Sequence, residues 1–349
     1  MKPAHKRCFK AVIALLLALL LCTTVSGASR YKLGSEYTAG EQFMSIRLLG
    51  TLSIPDDAVN SIKVNELSGL AWDEDEQLLY ALSNRGKLYH LKPEFHEGLL
   101  VNVRVIAAFK LRNRYGKKLK KPFRDAEGLA LQQGSNGKKG DSRLLISFER
   151  KPRVAVFDNN GHELKQLPLP RPLNDTASYE SDNHGLEALT VHPQFGVITT
   201  PEIPLPATKG TTLYNLAGKQ WAISRFPVPD NAIVGMETMP DGALLLLERS
   251  FSSIFSPIVI SLHKVQLGDE CLQTPARKPH KVCQTEPLGI FSSSEGWDID
   301  NFEGLAHHQG NRYFMVSDNN RFWLQRTLLS YFEVMPHVES AQESTVPNW

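Results

Sequence analysis

The sequence predicts an all-β protein, a β-propeller of five blades, on three observations. An acidic hexapeptide motif recurs five times at intervals of about 50–66 residues, the mark of a repeat architecture. Each copy is followed by a short apolar run closing on a carboxylate or an Asn. Runs of that length bounded by turn residues form buried strands rather than helices. The fifth repeat is one strand short, while an early strand over 43–52 has no repeat of its own. That strand is therefore expected to close the ring, which removes two sheet edges at once. Six blades is the alternative, if one repeat has diverged.

The chain opens with Lys2, Lys6 and Arg7, runs apolar to Cys22 and then turns to small residues through Ala28. A basic start, a short apolar core and a small-residue end make residues 1–28 a secretory signal peptide. A retained N-terminal anchor and a lipoprotein through Cys22 are the alternatives. The remaining chain is expected to be secreted or periplasmic, monomeric, and without a transmembrane segment. The propeller domain is expected over 43–335 and a flexible tail over 336–349.

The first unit gives strands near 67–72, 78–83, 87–91 and 101–109, and the second near 127–131, 143–149, 153–157 and 163–169. The third gives 186–192, 196–200, 212–216 and 219–226. The fourth gives 233–239, 243–248, 257–265 and 281–290, and the fifth only 303–307, 312–317 and 322–333. Cys8 and Cys22 fall in the signal peptide. Cys271 and Cys283 flank one polar loop, which in an exported chain points to a disulfide. No partner ligands at zinc spacing accompany them.

The net charge of +2 gives no global field for nucleic acid. The basic run over 110–124 reads as a solvated loop between blades. No Gly-x-Ser-x-Gly elbow and no phosphate-cradling loop is present, which disfavours a serine hydrolase and a nucleotide enzyme.

In a propeller, the first strand of each blade borders the central channel. Ser68, Glu127, Glu187, Glu237 and Glu303 take the third place in the five copies, and are expected to ring the axis. Asn84, Glu149, Glu202, Glu248 and Asp318 close the second strands and are expected near one mouth. Carboxylates facing one another hold protons unless a cation sits among them. An all-oxygen set favours a hard ion, most simply Ca²⁺, held by Glu127, Glu187, Glu237 and Glu303. Repetition also fits a scaffold role, each Glu accepting backbone hydrogen bonds from the next blade. Arg85, Arg150 and Arg249 follow the second-strand ends and, with Glu149, Glu248 and Asp318, are expected to bind substrate. Guanidinium grips phosphate or carboxylate in two-pronged fashion. His184, just before the third Glu, is a candidate general base.

The motif set Glu66–Ala71, 125–130, Phe148-Glu149-Arg150, 184–189, Leu247-Glu248-Arg249, 301–305 and Ser317-Asp318-Asn319 resembles the phytase-like family, described as "esterase-like activity of phytase". The resemblance spans roughly 45–332. It implies an exported propeller and hydrolysis of a small-molecule ester or phosphoester. The acidic motifs of the better-understood six-bladed, calcium-dependent alkaline phytases are not matched residue by residue. A non-catalytic binding propeller remains the other reading.

Overall fold

Residues 244–247 are four consecutive leucines, and all four are buried. In a strand, successive side chains point to opposite faces, so this run requires a sheet covered on both sides. Leu244 and Leu246 indeed pack toward one neighbouring sheet, with Ile198, Leu213 and Trp221. Leu245 and Leu247 pack toward the other, with Leu305, Tyr313 and Met315. The same rule holds around the molecule. Five apolar clusters each lie between two adjacent sheets, so the core is a ring of wedges rather than one centre.

The computed structural model describes residues 27–208, 210–251, 256–273 and 281–336. The expected signal peptide lies outside these residues but for Gly27 and Ala28, as does the expected tail but for Pro336. A closing strand, β1 (Ile46–Ile54), comes first. Blade one holds β2 (Leu67–Asp73), β3 (Leu78–Ser83), β4 (Lys87–His96) and β5 (Leu99–Lys110). Blade two holds β6 (Ala126–Gln132), β7 (Arg143–Phe148), β8 (Arg153–Phe157) and β9 (Glu163–Leu167). Blade three holds β10 (Leu186–His192), β11 (Gly196–Pro201), β12 (Thr212–Asn215) and β13 (Gln220–Ala222). Blade four holds β14 (Asn231–Thr238), β15 (Leu244–Ser250), β16 (Val259–Val265) and β17 (Thr285–Ser292), and blade five β18 (Asn301–Gln309), β19 (Arg312–Asp318) and β20 (Thr327–Val334).

The ring closes as expected: β1 supplies the fourth strand of blade five, antiparallel to β20, with Thr327 opposite Ile54 and Glu333 opposite Arg47. The five-blade count holds. The closing strand starts later than 43, because Met44 takes a left-handed turn (φ 51°) and folds Gln42–Phe43 back as a small hairpin. Phe43 then packs on Phe291 and Trp297 and pins the lead-in to blade four. The third strand of blade five begins at Thr327 rather than 322. Asn320 and Arg321 both adopt positive φ, and Phe322, Trp323 and Leu324 stand exposed on the resulting loop.

Cys271 and Cys283 form the expected disulfide, with Cα atoms 5.2 Å apart. The linked segments lie against β13, whose Ala222 accepts from the Cys283 N–H at 2.9 Å and donates to the Cys271 carbonyl at 3.2 Å. A three-residue outer strand would otherwise leave its edge open, and the segments beside the two cysteines cover it. Among the described residues no helix is long and apolar enough to cross a membrane.

Every inner strand carries a β-bulge at the same height, between Leu67 and Gly69, Ala126 and Leu129, Leu186 and Leu189, Ile233 and Gly235, and Phe302 and Gly304. An extra residue there bends the strand and re-aims one side chain. The blades meet tightly at this level. A Cβ on Gly128 would lie 2.5 Å from both the Glu187 carbonyl and Ser147 Oγ, and the space left at the axis is only about 10 Å³. Gly128→Ala should therefore destabilise the fold by about 1–3 kcal/mol through overpacking. Calorimetric melting of the variant checks this; an unchanged midpoint would show that the blades can separate there at no cost.

Candidate functional site

The bulges decide which side chains reach the axis. The bulged residue is Ser68, Glu127, Glu187, Val234 and Glu303 in blades one to five. Three carboxylates therefore converge, not four. Glu237 is not among them, because the bulge of blade four falls at Val234, three residues earlier. Glu237 points instead toward the other end of the axis, where it accepts hydrogen bonds from Thr238 N (2.9 Å), Thr190 Oγ1 (3.2 Å) and His307 N (3.2 Å). It ties three blades together.

The second strands add the next tier, and their register corrects a second expectation. The residue before each bulge pairs with Ser83, Phe148, Pro201, Glu248 and Ser317. One position further stand Asn84, Glu149, Glu202, Arg249 and Asp318. Blade four thus presents Arg249, and Glu248 faces the opposite side of its sheet, fully buried. There its carboxylate accepts from the Asn231 side-chain amide and from Phe226 N at 3.0 Å.

Arg249 is the cation at the heart of the cup. Nη1 donates to Glu303 Oε1 at 2.6 Å and Asn301 Oδ1 at 2.8 Å, and Nη2 lies 3.2 Å from Glu202 Oε1. Arg85 and Arg150 have a different task. Each pairs with the acid two places before the bulge of its own blade, Arg85 with Glu66 at 2.6 Å and Arg150 with Asp125. Those guanidinium groups are engaged within the scaffold. Asp318 accepts from Asn84 Nδ2 at 3.0 Å and Asn320 N at 2.6 Å.

The side-chain carboxylates of Glu127, Glu149 and Glu187 make no hydrogen bond or ion pair among the described residues. Asp125, Glu127 and Glu149 bring carboxylate oxygens within 4.8 Å of one another. Burial raises Glu127 and Glu187 well above the ordinary carboxylate range, and the neighbouring acids push further the same way. Burial, then Asp125 and Glu202, raise Glu149 to about 8. Burial, then Glu303, raise Asp318 to about 8. Burial also raises Glu303, against the pull of Arg249. With Arg150 on Asp125 as its one ion pair, a set of oxygens this close and only partly neutralised fits a hard divalent cation.

Beside the cup lies a pocket of about 410 Å³ lined by His184, Glu202, Arg225, Asn231, Arg249 and Phe251, among others. His184 is half-buried there, its Nδ1 3.1 Å from Ser181 Oγ. Asp125, Asn301 and Arg225 were missed in the sequence. Asp125 and Asn301 share one offset from the bulge, which the repeat itself displays. Arg225 lies outside every repeat, and nothing local marks it.

Comparison with known proteins adds the following. The model of the phytase-like family, described as "Esterase-like activity of phytase", matches residues 62–321. No curated protein matches the chain. Among solved structures, a gluconolactonase from Xanthomonas campestris is similar at 13% identity over 87% of this chain and 100% of that one, with a TM-score of 0.42. The β-propeller domain of Cps50 (Swd1) from Myceliophteria thermophila is similar at 12% identity over 89% and 99%, with a TM-score of 0.37.

The raised carboxyls make stability pH-dependent. In the folded protein Glu149 and Asp318 keep their protons to about pH 8, whereas the unfolded chain releases them near pH 4. Between those limits the unfolded state binds fewer protons, so stability falls as pH rises. Urea midpoints of the chelator-treated protein should decline from about pH 5 to about pH 8.5. Glu149→Gln should flatten the decline, and a midpoint that rises with pH would contradict the burial of these groups.

Proposed function

The chain belongs to the phytase-like family, and from that premise we propose that it is an exported hydrolase of a small-molecule phosphoester or carboxylic ester, assisted by Ca²⁺. The observation that carries this reading is the trio Asp125, Glu127 and Glu149, whose oxygens lie within 4.8 Å of one another with Glu187 nearby, and in which only Asp125 has an ion-pair partner, Arg150. Export is supported by the disulfide and by the signal-like start of the sequence.

Asp125, Glu127 and Glu149 would hold the cation, with Glu187 completing its surroundings. A bound Ca²⁺ would polarise an ester or phosphoryl oxygen as a Lewis acid. Arg249 meets the anionic end of the substrate from the pocket side, since its guanidinium is already aimed by Glu303, Glu202 and Asn301 and need not reorganise. Arg225 lines the same pocket and adds a second positive group. His184 stands at the pocket wall as the base that accepts a proton from the attacking water. Ser181 fixes the ring from its Nδ1 side. Asp318 and Asn84 hold the far side of the cup through their mutual hydrogen bond.

The non-catalytic reading is favoured by one observation. Arg85, Arg150 and Arg249 all have acidic partners within the protein, as a purely structural network would.

The purified chain should cleave aryl phosphates or aryl carboxylic esters, lose that activity on chelation and regain it with Ca²⁺. Glu127→Gln and Glu149→Gln should weaken Ca²⁺ binding by calorimetry, and Arg249→Lys should lower kcat/KM by roughly 100-fold. Undiminished turnover after exhaustive chelation would remove the cation from the reading. Inertness toward the whole ester panel, with Ca²⁺ bound, would leave the binding propeller.

A further inference from the structure

The basic segment between blades one and two is solvated, as its composition suggests, but it is held in a defined shape. Asn113 caps a tight turn: Oδ1 accepts from Tyr115 N at 3.1 Å and Lys117 N at 3.0 Å, and Asn113 N donates to Lys117 O at 2.8 Å. Arg112 Nη1 donates to Gly116 O at 2.9 Å and locks the tip. The finger is stitched to blade two on its other side. Arg112 N donates to Gly161 O, and Glu163 N donates to Arg112 O, both at 2.8 Å. Leu119 is buried in the core between blades one and two and anchors the returning arm.

This scaffold holds cations together. Arg114, Lys117, Lys118, Lys120, Lys165 and Arg153 line one open groove of about 990 Å³. None of them makes an ion pair among the described residues, and Glu163 is the one carboxylate in the lining. Charges of one sign, gathered on a rigid frame without acidic partners, are kept at a cost and attract polyanions. Lys118 feels this crowding, since Lys110 lowers its pKa. Aromatic surface is interleaved: Tyr115 is 71% and Phe123 51% exposed. Arg114 lies over the Tyr115 ring at 4.9 Å and Arg153 over Phe123 at 5.9 Å.

We infer that this groove is a docking site for an acidic polysaccharide, its ammonium and guanidinium groups meeting carboxylate or ester-anion substituents while Tyr115 and Phe123 meet sugar faces. A nucleic acid is the less favoured polyanion. The Cys271–Cys283 disulfide marks a chain that works outside the reducing cytoplasm, where acidic glycans are the extended polyanions at hand. The inference is independent of any hydrolysis at the carboxylate cup.

Affinity electrophoresis of the full chain through polygalacturonate, neutral dextran or a single-stranded DNA oligomer tests it. Polygalacturonate should retard the protein, with affinity falling roughly tenfold or more between about 50 and 200 mM salt. Lys117→Ala with Lys118→Ala and Lys120→Ala should lessen that salt slope, while Tyr115→Ala should weaken binding with the slope kept. All four positions are exposed, and circular dichroism of each variant confirms its fold. No retardation by polygalacturonate at low salt, equal retardation by dextran or DNA, or unaltered binding by the triple variant would each overturn the inference.

Discussion

Five inner strands pressed together at one height set the terms for everything else in this molecule. At the bulges of blades one, two and four, the backbone carbonyl of the adjoining blade occupies the space where a methyl group would otherwise stand. Small residues answer the demand: Gly69, Gly128, Ala188, Gly235 and Gly304 stand at equivalent points. The same bulge turns its own side chain away from the packed axis toward the mouth. Tight packing below and convergent side chains above are thus two effects of one backbone distortion. The expected channel is replaced by a closed axis with a cup on it.

The cup is unequal by blade, and the inequality is electrostatic. Blades two, three and five contribute carboxylates in both tiers, blade one contributes Ser68 and Asn84, and blade four contributes Val234 and Arg249. A fully acidic ring at this separation would repel itself strongly. Arg249 relieves one side by pairing with Glu303 and Glu202, and leaves Glu127, Glu149 and Glu187 without an ion pair of their own. The result is a gradient across the cup, cationic toward the His184 pocket and anionic toward blade two.

Blade number, strand order and ring closure were all legible, because they follow from periodicity and from apolar runs too short to be helices. Glu127, Glu187 and Glu303 were legible too, since each precedes Gly or Ala in a repeated motif. The fourth repeat was misread for a physical reason. A bulge leaves no composition signal of its own, and Met236-Glu237-Thr238 imitates the motif three residues after the true position at Val234-Gly235. One residue of register likewise separated Glu248 from Arg249, and in a strand one residue exchanges the two faces. Apolar Phe322-Trp323-Leu324 looked like a strand start, yet positive φ at Asn320 and Arg321 makes it a turn. The basic finger is solvated as its composition implied, but its order was not legible, because it comes from Asn113 and from Gly161 on a distant turn, contacts that no local pattern carries.

The sheet that joins β1 to β20 has a consequence for how the chain comes to be folded. Ile54 and Thr327 are neighbours in that sheet although most of the polypeptide lies between them. During synthesis β1 emerges first and must wait, its hydrogen-bonding edge unsatisfied, until the final repeat arrives. Non-local pairing of this kind is slow to form and leaves unfinished chains prone to wrong partners. A chain truncated before β20 is left with an orphaned strand rather than a smaller ring.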